Sequence, residues 1–412
     1  MSWSLAWSRG GDLLVPALAF ATGIIVTLEF IVIGLLPLLA ADLAVSLERA
    51  GWLVAAFALS AGIIGPVLTL LSARWPPRHV LVPSLMILAV SSVVAALSPG
   101  FSLLLGMRVV QGAMLTLFIS VASATAAAMA DDGRAGRAIG QVNLGMVVAT
   151  ALVLPAGVAL AESLGWRILF AGLGLLALLT SSVIWWLMPP SLAGQASASW
   201  RQARILRRPP FILHLALSTL LFTAMFVAYS YIAAFFEQVM GWSGRGIALG
   251  LLGFGLAGVA GNWVASRWVD RVPTLLTVAV TLILMLAMAG LSVLGRHLWL
   301  GAVLLGVWGG AHTAAFVACQ VRVMFAGVDA PSFAASLNIA ACNLGIAAGA
   351  VLGGWWIARF GVESVGWSAV AMGIVTLLVA VLLGTCEGSH SFAPHKLRSS
   401  KVVTAHAKTP LS

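Results

Sequence analysis

Long apolar runs separated by brief polar breaks repeat along the whole chain. A bilayer crossing takes about 20 apolar residues. Runs of that length predict spans over about 13–40, 51–72, 79–98, 101–130, 136–161, 167–188, 211–236, 245–265, 273–295, 298–324, 334–357 and 365–385. The first run follows Arg9 much as a secretory signal would. It is far longer than the ~7–15-residue apolar core of such a signal, so it predicts a crossing helix. The longest interior polar stretch, about Pro189 to Pro210, falls after the sixth run. The predicted fold is an all-α polytopic membrane protein, twelve transmembrane helices arranged as two six-helix bundles. Its expected divisions are 1–12, 13–188, 189–210, 211–385 and a basic, disordered tail over 386–412.

Composition makes lipid the solvent for most side chains. Hydrophobic residues make up 61% of the 412 and charged residues 8%, too few to cover the surface of a soluble domain of this length. The net charge of +10 would suggest nucleic acid in a soluble protein, but here it bears on orientation, and no nucleic-acid partner is expected. With the N-terminus inside, 16 Lys and Arg fall on the inner side, including the central Arg201, Arg204, Arg207 and Arg208, the distal Arg322, and Lys396, Arg398, Lys401 and Lys408 of the tail. Five fall outside: Arg49, Arg167, Arg245, Arg296 and Arg359. That asymmetry predicts a multi-pass protein of the cytoplasmic membrane with both termini cytoplasmic. Cys319, Cys342 and Cys386 lack metal-ligand spacing and read as reduced packing residues. No metal or cofactor is expected.

Short matches relate the two halves. Arg74-Trp75 and Arg78 recur as Arg267-Trp268 and Arg271; Asn143-Leu144-Gly145 recurs as Asn343-Leu344-Gly345; Gly165-Trp166 recurs as Gly366-Trp367. The offsets are 193, 200 and 201 residues. A parallel two-fold repeat of this kind builds transporters whose site lies between the halves.

Of the twelve acidic residues, Glu29 alone lies deep in a predicted span, roughly 16 Å from its outer end at 1.5 Å per residue. A carboxyl there faces a cavity, finds a partner or holds a proton. A transport role and a purely structural bond both satisfy this. Arg108, roughly 10 Å from the outer end of the fourth span, is its expected partner, or else snorkels outward to the interface. Gln111 shares a helix face with Arg108 and is a further candidate for a solute cavity. Thr223, Tyr229 and Tyr231 in the seventh span and His312 and Gln320 in the tenth are candidates for a solute cavity, or else bond between helices. Small residues at four-residue spacing (Gly345, Gly349 and Gly353; Gly253, Ala257 and Gly261; Ala61 and Gly65) predict close helix packing. Pro155, with Gly145 and Gly157, marks the fifth span as a bent element.

These residues carry a family resemblance from the first span to the last. Leu28-Glu29-Phe30 with Gly34-Leu35-Leu36-Pro37, and Ala41-Asp42-Leu43 with Ser46 and Ala50-Gly51, resemble the first helix and following loop of the major facilitator superfamily, in its twelve-helix drug:proton antiporter branch, near the arabinose, sugar, nucleoside and chloramphenicol efflux permeases. Arg108-x-x-Gln111-Gly112 resembles the helix 4 motif, whose arginine is associated with proton coupling. Pro155-Ala156-Gly157 with Gly165-Trp166-Arg167 is similar to the helix 5 antiporter motif and its exit loop. Ala335-Ser336-Leu337-Asn338 with Asn343-Leu344-Gly345 is similar to the helix 11 signature. The loop after helix 2 departs from the family: it keeps Arg74 and Arg78, but Ala73 stands in the aspartate position. The second copy, Arg267 to Arg271, retains Asp270. These five residues are the expected cytoplasmic gate loops.

The resemblance implies a secondary active transporter, a monomer that exchanges protons at Glu29, tuned by Arg108, for efflux of a small organic solute of drug, sugar or nucleoside class. Helices 1, 4, 7 and 10 would line its cavity, whose sparse charge favours neutral or cationic solutes. Uptake or uncoupled facilitation by the same fold is the alternative. An enzyme reading lacks a nucleophile, metal or paired-carboxylate constellation, and a sensor reading lacks a signalling domain.

Overall fold

The computed structural model describes residues 2–130, 134–189, 202–242, 244–329 and 331–388. Arg201, the four basic residues of the tail and the expected disorder of that tail lie outside them, as does the Cys386 side chain. Twelve helices among the described residues are long and apolar enough to cross a membrane: α1 (Leu13–Asp42), α2 (Leu47–Ser72), α3 (Arg78–Ala96), α4 (Phe101–Met129), α5 (Arg137–Leu164), α6 (Trp166–Leu187), α7 (Pro209–Gln238), α8 (Gly244–Trp268), α9 (Pro273–Leu294), α10 (Trp299–Ala326), α11 (Phe333–Phe360) and α12 (Val362–Gly384). The largest departure from the expected boundaries is at α2, which begins four residues early. Ser46 caps it, its hydroxyl accepting from the Arg49 N–H at 3.1 Å, and Glu48 sits in the first turn, where a negative charge complements the helix dipole. Polar residues that end an apolar run are at home in a helix's first turn.

Packing repeats between the halves. α1 lies on α5 and α6, α2 on α4, and α3 on α4 and α6. In the second half α7 lies on α11 and α12, α8 on α10, and α9 on α10 and α12. The repeat reaches single residues. A Cβ on Gly145 of α5 would run into the Ala19 carbonyl of α1 and sit 3.1 Å from Gly23 N. On Gly345 of α11 it would run into the Thr219 carbonyl of α7 and sit 3.1 Å from Thr223 N. All three positions differ by 200. The expected pairing of Gly165 with Gly366 is corrected. Gly165 precedes α6 at φ +80°, and its counterpart before α12 is Gly361 at φ +81°, a left-handed turn that favours glycine. Gly366 instead packs within the helix against Met288.

The halves meet along α2 and α11, along α8 and the 149–164 part of α5, and where α1 touches the 232–238 end of α7. Several of these contacts gather toward the face opposite the one where α1 begins, hereafter the far face. There Gly244 abuts Glu162, and the Tyr231 ring wedges between Gly51 of α2 and Gly354 of α11. α5 is interrupted by a π turn over Ala149–Val153. Pro155 has no N–H to bond Ala151, and the wider turn accommodates its ring. Gly157 lets Ile31 of α1 approach within 2.6 Å of where a Cβ would stand. α7 breaks at Ser230-Tyr231 before its last turns. The small-residue faces of α2 and α11 pack as expected, with Gly65 against Thr116 of α4. In α8 the expectation needs correction: Gly253 looks onto open space, and Gly258 and Gly261 make the close approach to α10.

Candidate functional site

Glu29 is the one buried acidic residue among those described, 7% exposed. Its carboxyl has no hydrogen-bond or ion-pair partner among them. Arg108, from α4, reaches α1 as the sequence suggests, but it grips the backbone. Its Nη2 donates to the Glu29 carbonyl at 3.0 Å, Nη1 to the Leu28 carbonyl at 2.6 Å and to Gln111 Oε1 at 3.2 Å, and Nε to the Leu53 carbonyl at 3.1 Å. The guanidinium lies 4.3 Å from the centre of the Phe57 ring. Every nitrogen is used, as a buried charge in an apolar interior requires. Gln111 Nε2 donates in turn to Ser92 at 3.3 Å. Arg108 thus ties α1, α2 and α4 together and leaves the Glu29 carboxyl unbonded within electrostatic reach. Close approach of α2 and α4 depends on Gly112, where a Cβ would meet the Phe57 carbonyl.

α7 and α10 form the second element. His312 sits among aromatic rings: Tyr229 at 4.6 Å, Phe254 at 5.3 Å, Phe226 at 5.4 Å and Phe316 at 6.0 Å between centres. Trp308 closes on Tyr229 and Phe254. His312 Nδ1 and Trp308 Nε1 are buried without a hydrogen-bond partner among the described residues. Phe30, the residue after Glu29, stacks on Phe226 at 6.1 Å, so this aromatic wall joins the helix that carries the acid.

The remaining sequence candidates divide. Gln320 is half-buried, its oxygen accepting from Asn338 of α11 at 2.8 Å. Thr223 donates to its own helix at 2.8 Å and lies where α11 packs. Tyr231 is fully buried, its hydroxyl donating to the Ala350 carbonyl at 2.7 Å, which makes it a wedge between helices. At the gate loops, Arg78 stacks on Trp185 at 3.6 Å and Arg267 on Trp263 at 3.3 Å. The ion pairs seen among the described residues, Asp42 with Arg167 and Arg208 with Asp329, involve none of Arg74, Arg78, Arg267, Asp270 and Arg271. On the far face Asp42 also accepts from Trp166 Nε1 at 3.0 Å, tying the α1–α2 loop to the start of α6. That motif pair was visible in the sequence, but its contact was not.

One residue was misplaced. Arg322, counted with the inner-side charges, is buried inside α10 at 1% exposure against His214 and Ser218 of α7. It stands near the end of its helix, where apolar sequence gives way to polar, and a cation there reads as a loop residue. Without it the charge split becomes 15 to 5. Cys319 and Cys342 are buried free thiols, as expected.

Comparison with known proteins follows the same lines. The family model described as Major Facilitator Superfamily matches residues 18–327. The inner membrane transport protein YdhP of Escherichia coli (strain K12) is 30% identical over 374 residues, 89% of this chain and 94% of that protein. A chloramphenicol efflux pump of Mycobacterium tuberculosis (strain ATCC 25618 / H37Rv) is 31% identical over 393 residues, 92% of each. The crystal structure of a bacterial homolog of the human lysosomal transporter Spinster, inward-facing and unoccupied, superposes with a TM-score of 0.69 at 15% identity, covering 91% of this chain and 96% of that one. The chain belongs to the Major Facilitator Superfamily, in the drug:proton antiporter branch that its helix motifs resemble, and is a multi-pass transporter of the cell membrane, not an enzyme.

Proposed function

We propose that this transporter exports a small organic solute of the drug, sugar or nucleoside class in exchange for protons, by alternating access, as a monomer with both termini in the cytoplasm. One observation carries the reading: Glu29, the one buried carboxyl among the described residues, has no bonding partner among them and sits on a helix whose backbone is held by Arg108. A carboxyl so placed can take a proton from one side of the membrane and release it to the other. Arg108 acts as its positioning residue, fixing α1 while leaving the carboxyl free. The solute lies between the two six-helix bundles, 13–188 and 211–385, with the aromatic wall around His312 on one side and α1 on the other. Half-buried Gln320 lies on the same helix as that wall. Closure at the far face by Tyr231 supports a form open toward the cytoplasm, and the loops around Arg74, Arg78, Arg267, Asp270 and Arg271 would then gate the open end. The export direction draws support from the M. tuberculosis relative named as a chloramphenicol efflux pump.

The test uses inside-out vesicles energised to an acidic lumen, with radiolabelled chloramphenicol as the probe solute. Accumulation above that of vesicles lacking the protein, lost when a protonophore collapses the gradient, is the expected result. Equilibration that ignores the gradient would refute coupling.

A further inference from the structure

Arg322 is a second buried cation, and no acidic residue among those described meets it. Its Nη1 donates to the His214 carbonyl at 3.1 Å and lies 3.0 Å from His214 Nδ1, which must accept because a guanidinium only donates. Its Nη2 donates to Ser218 Oγ at 3.0 Å and lies 3.8 Å from Cys319 Sγ. Nε is buried with no hydrogen-bond partner among the described residues. Arg108 is the internal standard. There all three nitrogens find oxygen acceptors, with an aromatic face and a carboxyl in reach. On Arg322 the Nη1 side is satisfied. The Nε–Nη2 edge, the one that a carboxylate or phosphate takes with two parallel bonds, holds one hydroxyl and one weak thiol contact.

Position adds a second argument. Along the α7–α10 seam, Arg322 with His214 and Ser218 comes first, then Phe222 with Phe316 at 4.5 Å, then Phe226 with His312, then Tyr229 with Trp308. The cation ends an apolar, aromatic wall. A buried charge in an apolar interior is costly without a counter-ion, and intramembrane ionisable groups mark solute paths.

We propose that Arg322, through its Nε–Nη2 edge with Ser218 beside it, is the subsite for an anionic group (carboxylate, sulfonate or phosphate) on a solute whose apolar body stacks along Phe222, Phe316 and Phe226. The assignment rests on the transport reading for the existence of a path along this wall. It adds to the expected neutral or cationic solutes molecules with one negative end and an aromatic or apolar body.

The experiment uses the purified full chain in neutral detergent, with no gradient. Unfolding is followed by the fluorescence of its 16 tryptophans. Sodium benzoate is the probe and benzamide its neutral isostere. Benzoate at about ten times its dissociation constant should raise the unfolding midpoint by about 2 °C, and benzamide should leave it unchanged. Arg322→Gln should abolish the difference and Arg322→Lys should keep part of it. Ser218→Asp, which supplies a carboxylate at Nη2, should fold and no longer respond. Equal effects of benzoate and benzamide on the natural protein, or a benzoate effect that survives both Arg322→Gln and Ser218→Asp, would overturn the assignment. Glu29→Gln protein should still respond to benzoate, so failure of proton coupling and failure of the anion subsite give different results.

Discussion

Replacing Gly349 with leucine tests the helix packing on which both halves depend. Gly345, Gly349 and Gly353 face α7. A Cβ on Gly349 would stand 2.9 Å from Thr223 O, from the Phe226 carbonyl carbon and from Val227 N. Unstrained carbon contacts lie at about 3.5–4.0 Å, so even alanine requires α7 to retreat by roughly 0.5–1 Å, a gap that forfeits about a quarter to a half of each dispersion contact. Overpacking of this kind costs about 1–3 kcal/mol, so Gly349→Ala should cost ~1–2 kcal/mol. Gly349→Leu, whose extra carbons continue into α7, should reach the top of that range or exceed it. Lipid offers no hydrophobic compensation, because helices in a bilayer associate through packing itself. Leu352 is 40% exposed, and Leu352→Ala exchanges one apolar surface for another, a change of under ~1 kcal/mol. Gly140, where a Cβ meets nothing, is the control. Gly140→Ala should be neutral or stabilising by up to ~1 kcal/mol. Unfolding midpoints in detergent and the amount of protein in the membrane give the ranking. A Gly349→Leu protein with the natural midpoint and abundance would show that this face looks at lipid.

Two further outcomes follow from the same geometry. Reporter fusions after Arg78, within 189–210 and after Glu387 should report the cytoplasm, and one near Arg296 the outside; one firm reversal undoes the topology. Tyr231→Phe removes the bond to the Ala350 carbonyl at a cost of about 0.5–1.5 kcal/mol while keeping the wedge, so the midpoint should fall slightly and transport should persist. Loss of transport with unchanged stability would instead give the hydroxyl a direct role.

The spans were legible because lipid imposes one rule on every exposed side chain. The two-fold repeat was legible from Asn143-Leu144-Gly145 and Asn343-Leu344-Gly345, since a glycine in close backbone contact tolerates no substitute. Glu29 stood out because a mid-span carboxyl needs a reason. Harder features depend on rotation about the helix axis and on side-chain reach. Gly253 and Gly258 are both plausible packing glycines in one dimension, and only Gly258 faces α10. Tyr231 and Tyr229 are near neighbours in sequence, yet one wedges between helices and the other joins the aromatic wall. Arg108 was expected to meet the Glu29 side chain and instead holds its backbone. Arg322 was hidden by its place near a helix end, where a cation looks like part of a loop.

Glu29→Gln in energised inside-out vesicles tests the central claim most directly. Glutamine keeps the size and hydrogen bonding of the side chain but cannot exchange a proton, and the backbone carbonyl that Arg108 grips is unchanged. The variant should therefore reach the membrane in normal amounts and unfold at the natural midpoint. It should lose gradient-driven accumulation of chloramphenicol while still exchanging it down its own gradient. Full proton-driven accumulation by this variant would remove Glu29 as the coupling carboxyl, and attention would move to His312.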